Sequence, residues 1–439
     1  MQSNDSIDLT RVGPGSVMGE MMRQYWLPAA LSSELVADGD PVRLMILCEK
    51  LVAFRDSAGR VGIMDHRCPH RCASLFIGRN EENGIRCVYH GWKFDVDGKC
   101  VDMPSVPARQ DFKDRVRAKA YRTAERNGMV WVYMGLNQDS PPPLPQIEAT
   151  MIPDAEIWCL QRDCNWLQAL EGDIDTSHVG FLHVGSLQPE DLDKDHPMRP
   201  TVLNRSPEYE VASADWGTMY GAFRQNDDGQ MSWRVAHFMF PFWTQTPNNR
   251  FATRAIARAW VPMDDEHSML FDITGGVDEG NPAYNSKRKT GEPLFGKISY
   301  APNTTDWFGR WRSTDDIHND WAIDRESQRS GEQFTGIANI TMQDQAVTES
   351  MGPITDHSFE HLAPTDQMIA RTRRRLLLAA RALREKGAAS PGVEDPSIFY
   401  RARAGSFLHD PAATLESAYA AQLGQAVRWP ATRSAEPVG

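Results

Sequence analysis

Short, largely apolar strand-like runs separated by polar turns organise the chain between about residues 40 and 135. Pro41-Val-Arg-Leu-Met-Ile-Leu-Cys48 and Lys50-Leu-Val-Ala-Phe-Arg55 carry the residues that suit a pleated, half-buried surface, and Asp56-Ser-Ala-Gly59 reads as a hairpin turn. Asp95-Val-Asp-Gly98 and Arg126-Asn-Gly128 are further turns, the second leading into the apolar run Met129-Val-Trp-Val-Tyr-Met134. Together they predict a small antiparallel β domain. Pro141-Pro-Pro-Leu-Pro145 can continue neither a strand nor a helix and marks a boundary, giving domains at 25–140 and 141–439. Beyond it the pattern is mixed. Trp166 to His183 reads as helical, residues 200 to 275 as several strands, and 280 to 315 as a long loop rich in Gly, Asn, Pro and Asp. Helical stretches are expected over Asp320 to Glu349 and over a basic segment, Asp366 to Lys386. The class is α+β, without internal repeats.

Composition narrows the picture. Of 439 residues, 41% are hydrophobic and 24% charged, ordinary for a soluble globular chain. The net charge of −12 disfavours nucleic acid and anionic membrane as partners, and would suit a redox partner with a basic docking patch. Met1 to Asp8 is polar and acidic, not a signal peptide, and the most apolar short run, Leu376 to Ala380, is far below the length of a bilayer span. Seven cysteines form no tight framework, which fits a reducing cytoplasm.

Two loops carry the sharpest chemistry. Cys68-Pro-His70-Arg and Cys87-Val-Tyr-His90-Gly-Trp each offer one thiol and one imidazole, with sixteen residues between His70 and Cys87. One iron on two thiolates and a second on two imidazoles is the Rieske form of a [2Fe-2S] cluster. Replacing two anionic thiolates with neutral imidazoles eases reduction, so electrons pass on to something oxidising. The alternative is a Cys2His2 zinc site, although zinc sites more often pair C-x2-C with H-x3-5-H. A single-cluster electron carrier would leave roughly three hundred residues unexplained.

The acceptor is sought in Asn165-Trp-Leu-Gln-Ala-Leu-Glu171-Gly-Asp-Ile-Asp175-Thr-Ser-His178-Val-Gly180-Phe-Leu-His183. Two histidines and one carboxylate leave positions open on Fe(II) for O2. Five residues on a straight α-helix place His178 and His183 about 140° apart, so the helix should bulge or break between them, with Gly180 the expected place. Asp175 can accept the second N–H of His178 and orient the ring. The third ligand is expected from Asp344, inside a helical stretch, or from Asp356, which follows Gly352-Pro353 and reads more as a turn residue.

These segments, with Leu9-Thr-Arg-Val-Gly-Pro-Gly15, Tyr25-Trp-Leu-Pro28, Asp324-Arg-Glu326 and Gln343-Asp344-x4-Glu349-Ser-Met-Gly-Pro353, resemble the oxygenase subunits of Rieske non-haem iron ring-hydroxylating oxygenases, in the phthalate dioxygenase-like group. The resemblance implies that Cys68, His70, Cys87 and His90 hold the cluster and that His178, His183 and Asp344 hold the iron. It implies a Rieske β domain beside a helix-grip catalytic domain, and assembly as a homotrimer or stacked hexamer without a small β subunit. Asp175 then matches the acid that carries electrons between subunits. Electrons would come from a separate NAD(P)H-dependent reductase with a flavin and a plant-type [2Fe-2S] centre. No nucleotide-binding fingerprint occurs in this chain, in keeping with an outside reductase.

The expected substrate is a small aromatic acid. Phe181, Trp233, Phe238, Phe240, Phe242 and Trp243 could supply flat walls, and Arg224 or Arg234 could meet a carboxylate, although aromatic-rich strands are usually core. His66, His237 and Glu171 are further polar candidates, and Arg371-Thr-Arg-Arg-Arg375 reads as a solvated or docking face. Dihydroxylation, monooxygenation and O-demethylation share one ligand set, so residues do not choose among them. A pure electron-transfer protein and a zinc-stabilised binding module are the readings from other classes.

Overall fold

The computed structural model describes residues 3–194, 196, 198–226, 228–248, 250–276 and 297–429. Two short helices, α1 (Ser3–Thr10) and α2 (Val17–Met22), open the chain. Ten strands follow: β1 (Trp26–Leu31), β2 (Val42–Ile46), β3 (Glu49–Arg55), β4 (Val61–Asp65), β5 (Arg79–Glu81), β6 (Gly84–Arg86), β7 (Lys93–Phe94), β8 (Cys100–Asp102), β9 (Ala120–Arg126) and β10 (Met129–Tyr133). Six form an antiparallel sheet in the order β1-β10-β9-β4-β3-β2, and β5 to β8 form a smaller one. The β9–β10 turn is tight because Asn127 and Gly128 both take positive φ, 49° and 80°, a left-handed pair these two residues adopt at low cost. Val52, Phe54, Met64, Leu75, Ile85 and Phe94 fill the space between the sheets. Cys68 and Cys87 belong to that same buried cluster, so both thiol loops are rooted in the core.

The second half begins with α3 (Glu148–Met151), β11 (Glu156–Arg162), α4 (Trp166–Ile174) and α5 (Arg199–Leu203). Six strands follow: β12 (Glu208–Ala214), β13 (Gly217–Gln225), β14 (Met231–Met239), β15 (Trp243–Gln245), β16 (Arg254–Pro262) and β17 (Ser268–Gly276). Then come α6 (Arg325–Ser330), α7 (Ile340–Ser350), α8 (Gln367–Lys386), β18 (Gly405–His409) and α9 (Leu415–Gln425). The strands make an antiparallel sheet in the order β11-β17-β16-β15-β14-β13-β12, with β18 also paired to β14. Helix α4 lies across β14 to β17 and packs on α7, while α8 covers β13 and meets α1 and α2. Met368, Thr372, Leu376 and Ala380 are buried at every fourth position of α8, the stripe that seats it. Trp131 of β10 and Trp243 of β15 stack with centroids 5.8 Å apart, joining the two halves through one continuous core.

Two expectations change. The helix expected over Asp320 to Glu349 is broken: Asp320, Trp321 and Ala322 all take positive φ, and the Trp321 indole N–H donates to Glu349 Oε2 at 2.7 Å. The basic run does not form a solvated face. Arg371 donates to the Val211 carbonyl, Arg373 to Glu171 and Glu360, and Arg375 to Ala214 and Gly217, so of the four arginines only Arg374 is exposed. Of the loop expected over 280–315, residues 280–296 lie outside the described residues. Residues 297–315 form no helix and anchor to the first domain, Arg310 gripping Glu34 at 2.8 and 2.6 Å. Among the described residues no helix is long and apolar enough to cross a membrane.

Candidate metal centres and the adjoining pocket

Helix α4 starts at Asn165, whose side chain caps Leu167 N–H at 3.0 Å and donates to the carbonyls of Thr10 and Asp265. Asp173, near its other end, is held by Arg258 at 2.6 Å, Thr244 at 2.7 Å and Trp260 at 2.8 Å, which pins the helix to the sheet. The helix then stops at Ile174. Asp175 turns extended, with ψ 122°, and its carboxylate accepts from Ser177 N–H at 2.7 Å. The break therefore comes before His178, not at Gly180 as the spacing predicted. Gly180 is small for another reason: a Cβ there would meet Arg205 atoms at 3.1 Å. The Arg205 guanidinium donates to the carbonyls of Gly180, Gly185 and Leu187, replacing bonds a continuous helix would have made.

Breaking the helix lets both rings face one point. His178 Nε2 and His183 Nε2 are 3.1 Å apart, and Asp344 Oδ1 on α7 lies 3.6 and 3.2 Å from them. These three side chains form a group able to hold one ion. Asp356 is not part of it. Its carboxylate caps an exposed turn through Ser358 N–H at 2.9 Å and Ser358 Oγ at 2.6 Å. His178 Nδ1 lies 3.4 Å from Asp175 Oδ2, and His183 Nδ1 lies 2.8 Å from Gln343 Oε1. Burial opposes ionisation of Asp344, but the neighbouring His183 and His178 and the Arg162 guanidinium outweigh it, holding its carboxyl below the ordinary range. Burial alone would lower His178, but Asp175 and Asp344 reverse that and raise it.

In the first half of the chain, Cys68 and Cys87 are buried and unbridged, and the rings of His70 and His90 lie 4.4 Å apart. Burial, with the neighbouring Cys87, pushes the Cys68 thiol up to about 12. The buried Nδ1 of His90 has no hydrogen-bond partner. Crowded thiols and an orphaned imidazole nitrogen are what a protein leaves for a metal group, and two thiolates with two imidazoles fit a Rieske cluster. Trp92 stacks on His70 at 4.3 Å and stiffens that loop.

A pocket opens beside the triad, lined by Asp173, Asp175, Thr176, His178, Val179, His183, Met198, Tyr220, Arg234, Thr246, Pro247, Asn248, Arg258, Ile340, Thr341 and Asp344, with Gly172 at its edge. Its wall is not the aromatic one the strands predicted. Phe240 is buried against Phe238 and under Arg375, and Trp233, Phe238, Phe242 and Trp243 are core residues that do not line it. Phe181 is 54% exposed and tilts toward Phe334, outside the pocket. Arg224 does not line it either, its Nε donating to the Asn204 carbonyl at 2.7 Å. Arg234 does. It is 7% exposed, forms no ion pair among the described residues, and its Nε has no partner. Thr176 Oγ1 and Thr246 Oγ1, on the same wall, are also buried and unpartnered. His237 is a core residue, bonded to Trp216 and the Arg403 carbonyl and depressed to about 4 by burial. Glu171 serves Arg373, and His66 stands edge-on to Trp307. Asp173, Arg205, Thr246 and the role of Gln343 escaped the sequence reading; only the acidic run around Asp173 hinted at one of them.

Residues 25–119 match the Rieske [2Fe-2S] domain family, and residues 132–407 match the family described as LigXa C-terminal domain like. The oxygenase subunit of 3-chlorobenzoate-3,4-dioxygenase from Comamonas testosteroni is 49% identical over 432 residues, covering 97% of this chain and 99% of that protein. The oxygenase subunit of phthalate 4,5-dioxygenase from Pseudomonas putida is 34% identical over 417 residues, covering 90% and 89%. Among solved structures, the NdmA QL mutant with theobromine, from Pseudomonas putida CBB5, superposes with a TM-score of 0.57 over 90% of this chain and 99% of that one. At 18% identity that likeness speaks for the fold alone.

Proposed function

The chain belongs to the Rieske non-haem iron ring-hydroxylating oxygenases, as an oxygenase subunit of the phthalate dioxygenase-like group, and on that footing we propose that it oxidises a small aromatic acid whose carboxylate is anchored by Arg234. It is an oxidoreductase that uses a Rieske [2Fe-2S] cluster, a mononuclear iron and O2. Cys68, His70, Cys87 and His90 are assigned to the cluster, and His178, His183 and Asp344 to the iron. When bound, the iron supplies oxygen activation and the cluster supplies single electrons.

The observation that carries the substrate assignment is the unpaired Arg234 guanidinium, buried in the wall of the pocket that holds the triad. A buried cation without a counter-charge is costly, so the site gains most from a ligand that brings one. A carboxylate meets the planar guanidinium in two parallel hydrogen bonds. Thr176 and Thr246, with unpartnered hydroxyls on the same wall, can donate to its remaining lone pairs. Val179, Met198, Pro247 and Ile340 give the ring an apolar bed. Anchoring at one end fixes which ring atom lies nearest the iron, and so the product. The curated relatives named above, enzymes of chlorobenzoate and phthalate, support an aromatic acid.

The finer partners follow from the family. We assign electrons to an NAD(P)H-dependent reductase bearing a flavin and a plant-type [2Fe-2S] centre, a cytoplasmic location, and a homotrimer or stacked hexamer without a β subunit. The domain division at the 141–145 proline run gives 25–140 to the cluster and 141–439 to the iron. Asp175, with its side chain 24% exposed, keeps a lone pair on each oxygen after bonding Ser177 and His178. We assign it the relay of electrons from a neighbouring subunit.

Arg234→Gln tests the anchor. Losing a buried charge-assisted pair costs about 2–5 kcal/mol, so KM for the aromatic acid should rise by roughly 30-fold or more. Equal KM values for wild type and variant on the acid would remove Arg234 from the substrate site.

A further inference from the structure

The two histidines of the triad meet different partners on their outward ring nitrogens. His178 Nδ1 faces a carboxylate, Asp175, at 3.4 Å, whereas His183 Nδ1 lies 2.8 Å from a neutral amide oxygen, Gln343 Oε1. We propose that Gln343 is the positioning residue of His183, fixing the tautomer that frees Nε2 for the metal and holding the ring without adding charge. This rests on the triad being an iron site.

The direction of the hydrogen-bond chain carries the argument. Gln343 is 3% exposed, and its Nε2 donates to the Ile337 carbonyl at 2.6 Å. A carbonyl only accepts, so the NH2 end of the amide must face Ile337 and the oxygen must face His183. That oxygen also only accepts, so His183 carries its proton on Nδ1. The Nε2 lone pair is then left pointing toward Asp344 Oδ1, 3.2 Å away. Turning the amide over would set its oxygen against the Ile337 oxygen. Both ends of the chain are anchored: Ile337 N–H bonds Thr335 Oγ1 at 3.0 Å, and Asn339 caps α7 through Thr341 and Met342 N–H.

Neighbouring positions on α7 thus divide the work. Side chains of consecutive helical residues diverge by about 100°, so Asp344 reaches the metal position while Gln343 reaches behind the imidazole. Charge explains the choice of an amide. Asp344 and Asp175 already bring two negative charges, which balance a divalent ion. A carboxylate at 343 would offer the same acceptor oxygen and a third charge.

The test uses full-length protein with its cluster intact and its mononuclear iron removed, titrated anaerobically with Fe(II) against a competing chelator. Removing such a hydrogen-bond partner typically weakens metal binding about 10–100-fold, so Gln343→Leu should show that loss with an unchanged cluster absorption spectrum. Gln343→Glu, which keeps an acceptor oxygen for His183 but sets its other oxygen against the Ile337 carbonyl, should bind more tightly than the Leu variant. Gln343→Asn, too short to span His183 and Ile337, should repeat the loss and serves if the Leu variant does not retain its cluster. Wild-type affinity in a folded Leu or Asn variant, with His183→Ala unable to bind, would overturn the proposal. Unchanged affinity in His183→Ala and Asp344→Ala would overturn the iron reading itself.

Discussion

Asp175 shows how much one side chain can be asked to do. Its amide makes the last bond of α4, its carboxylate receives Ser177 N–H, and its other oxygen faces His178. Asp175→Asn keeps the shape and removes the charge. Turnover is expected to fall about 10–100-fold, with iron content and cluster spectrum unchanged, as measured by metal analysis beside steady-state rates. Full turnover in the variant would leave Asp175 a capping residue only. The residues assigned to the metal groups were legible where spacing constrains them. C-x-H, C-x2-H and the His178/His183 pair identify themselves because few other jobs need those side chains at those intervals. Asp344 and Asp356 looked alike in sequence, and only the fold puts one beside two imidazoles and the other in an exposed turn. Arg224 and Arg234 were equally indistinct, because alternation says that both are on strands but not which has a carbonyl to satisfy it.

Among elements, the segment from α4 to His183 departs furthest from its sequence pattern. Periodicity continues through Gly180, yet the helix ends at Ile174, because Asp175 finds better partners in Ser177 and His178 than in a further helical turn. Arg205, more than twenty residues away, then satisfies the carbonyls this exposes, and no local window could have revealed it. Gly180→Ala forces a methyl against Arg205 at 3.1 Å. Overpacking of this kind costs about 1–3 kcal/mol, and we expect a lower unfolding temperature together with less iron per cluster. Native iron content and native melting would show that the loop accommodates the methyl and that its packing does not set the site. The same limit explains the aromatic strands. Phe238, Phe240 and Trp243 were candidates for a pocket, but a sheet covered by helices claims its large rings for the core.

On the scale of the whole molecule, buried charges tie distant parts of the chain together. Arg373 of α8 holds Glu171 of α4 at 2.6 Å through two bonds and Glu360 through two more. Arg373→Met strands a buried carboxylate and is expected to destabilise by about 3–5 kcal/mol, while adding Glu171→Leu should recover most of it in thermal unfolding. A single variant that melts like wild type would deny the network a stabilising role. A β part followed by a mixed α and β part was readable from the change of pattern along the chain, whereas the continuity of the core through Trp131 and Trp243 was not, since pairings across halves leave no local trace. As proposed above, the molecule oxygenates an aromatic acid held by its carboxylate. The most direct test is one turnover of cluster-reduced protein with ¹⁸O₂ and a panel of benzoates and phthalates beside their methyl esters, with products read by mass spectrometry. Labelled oxygen should enter the acids, two atoms for dihydroxylation or one for monohydroxylation, and should not enter the esters at comparable concentration. Labelling of esters as readily as acids, or of no aromatic acid while O2 still oxidises the cluster, would contradict it.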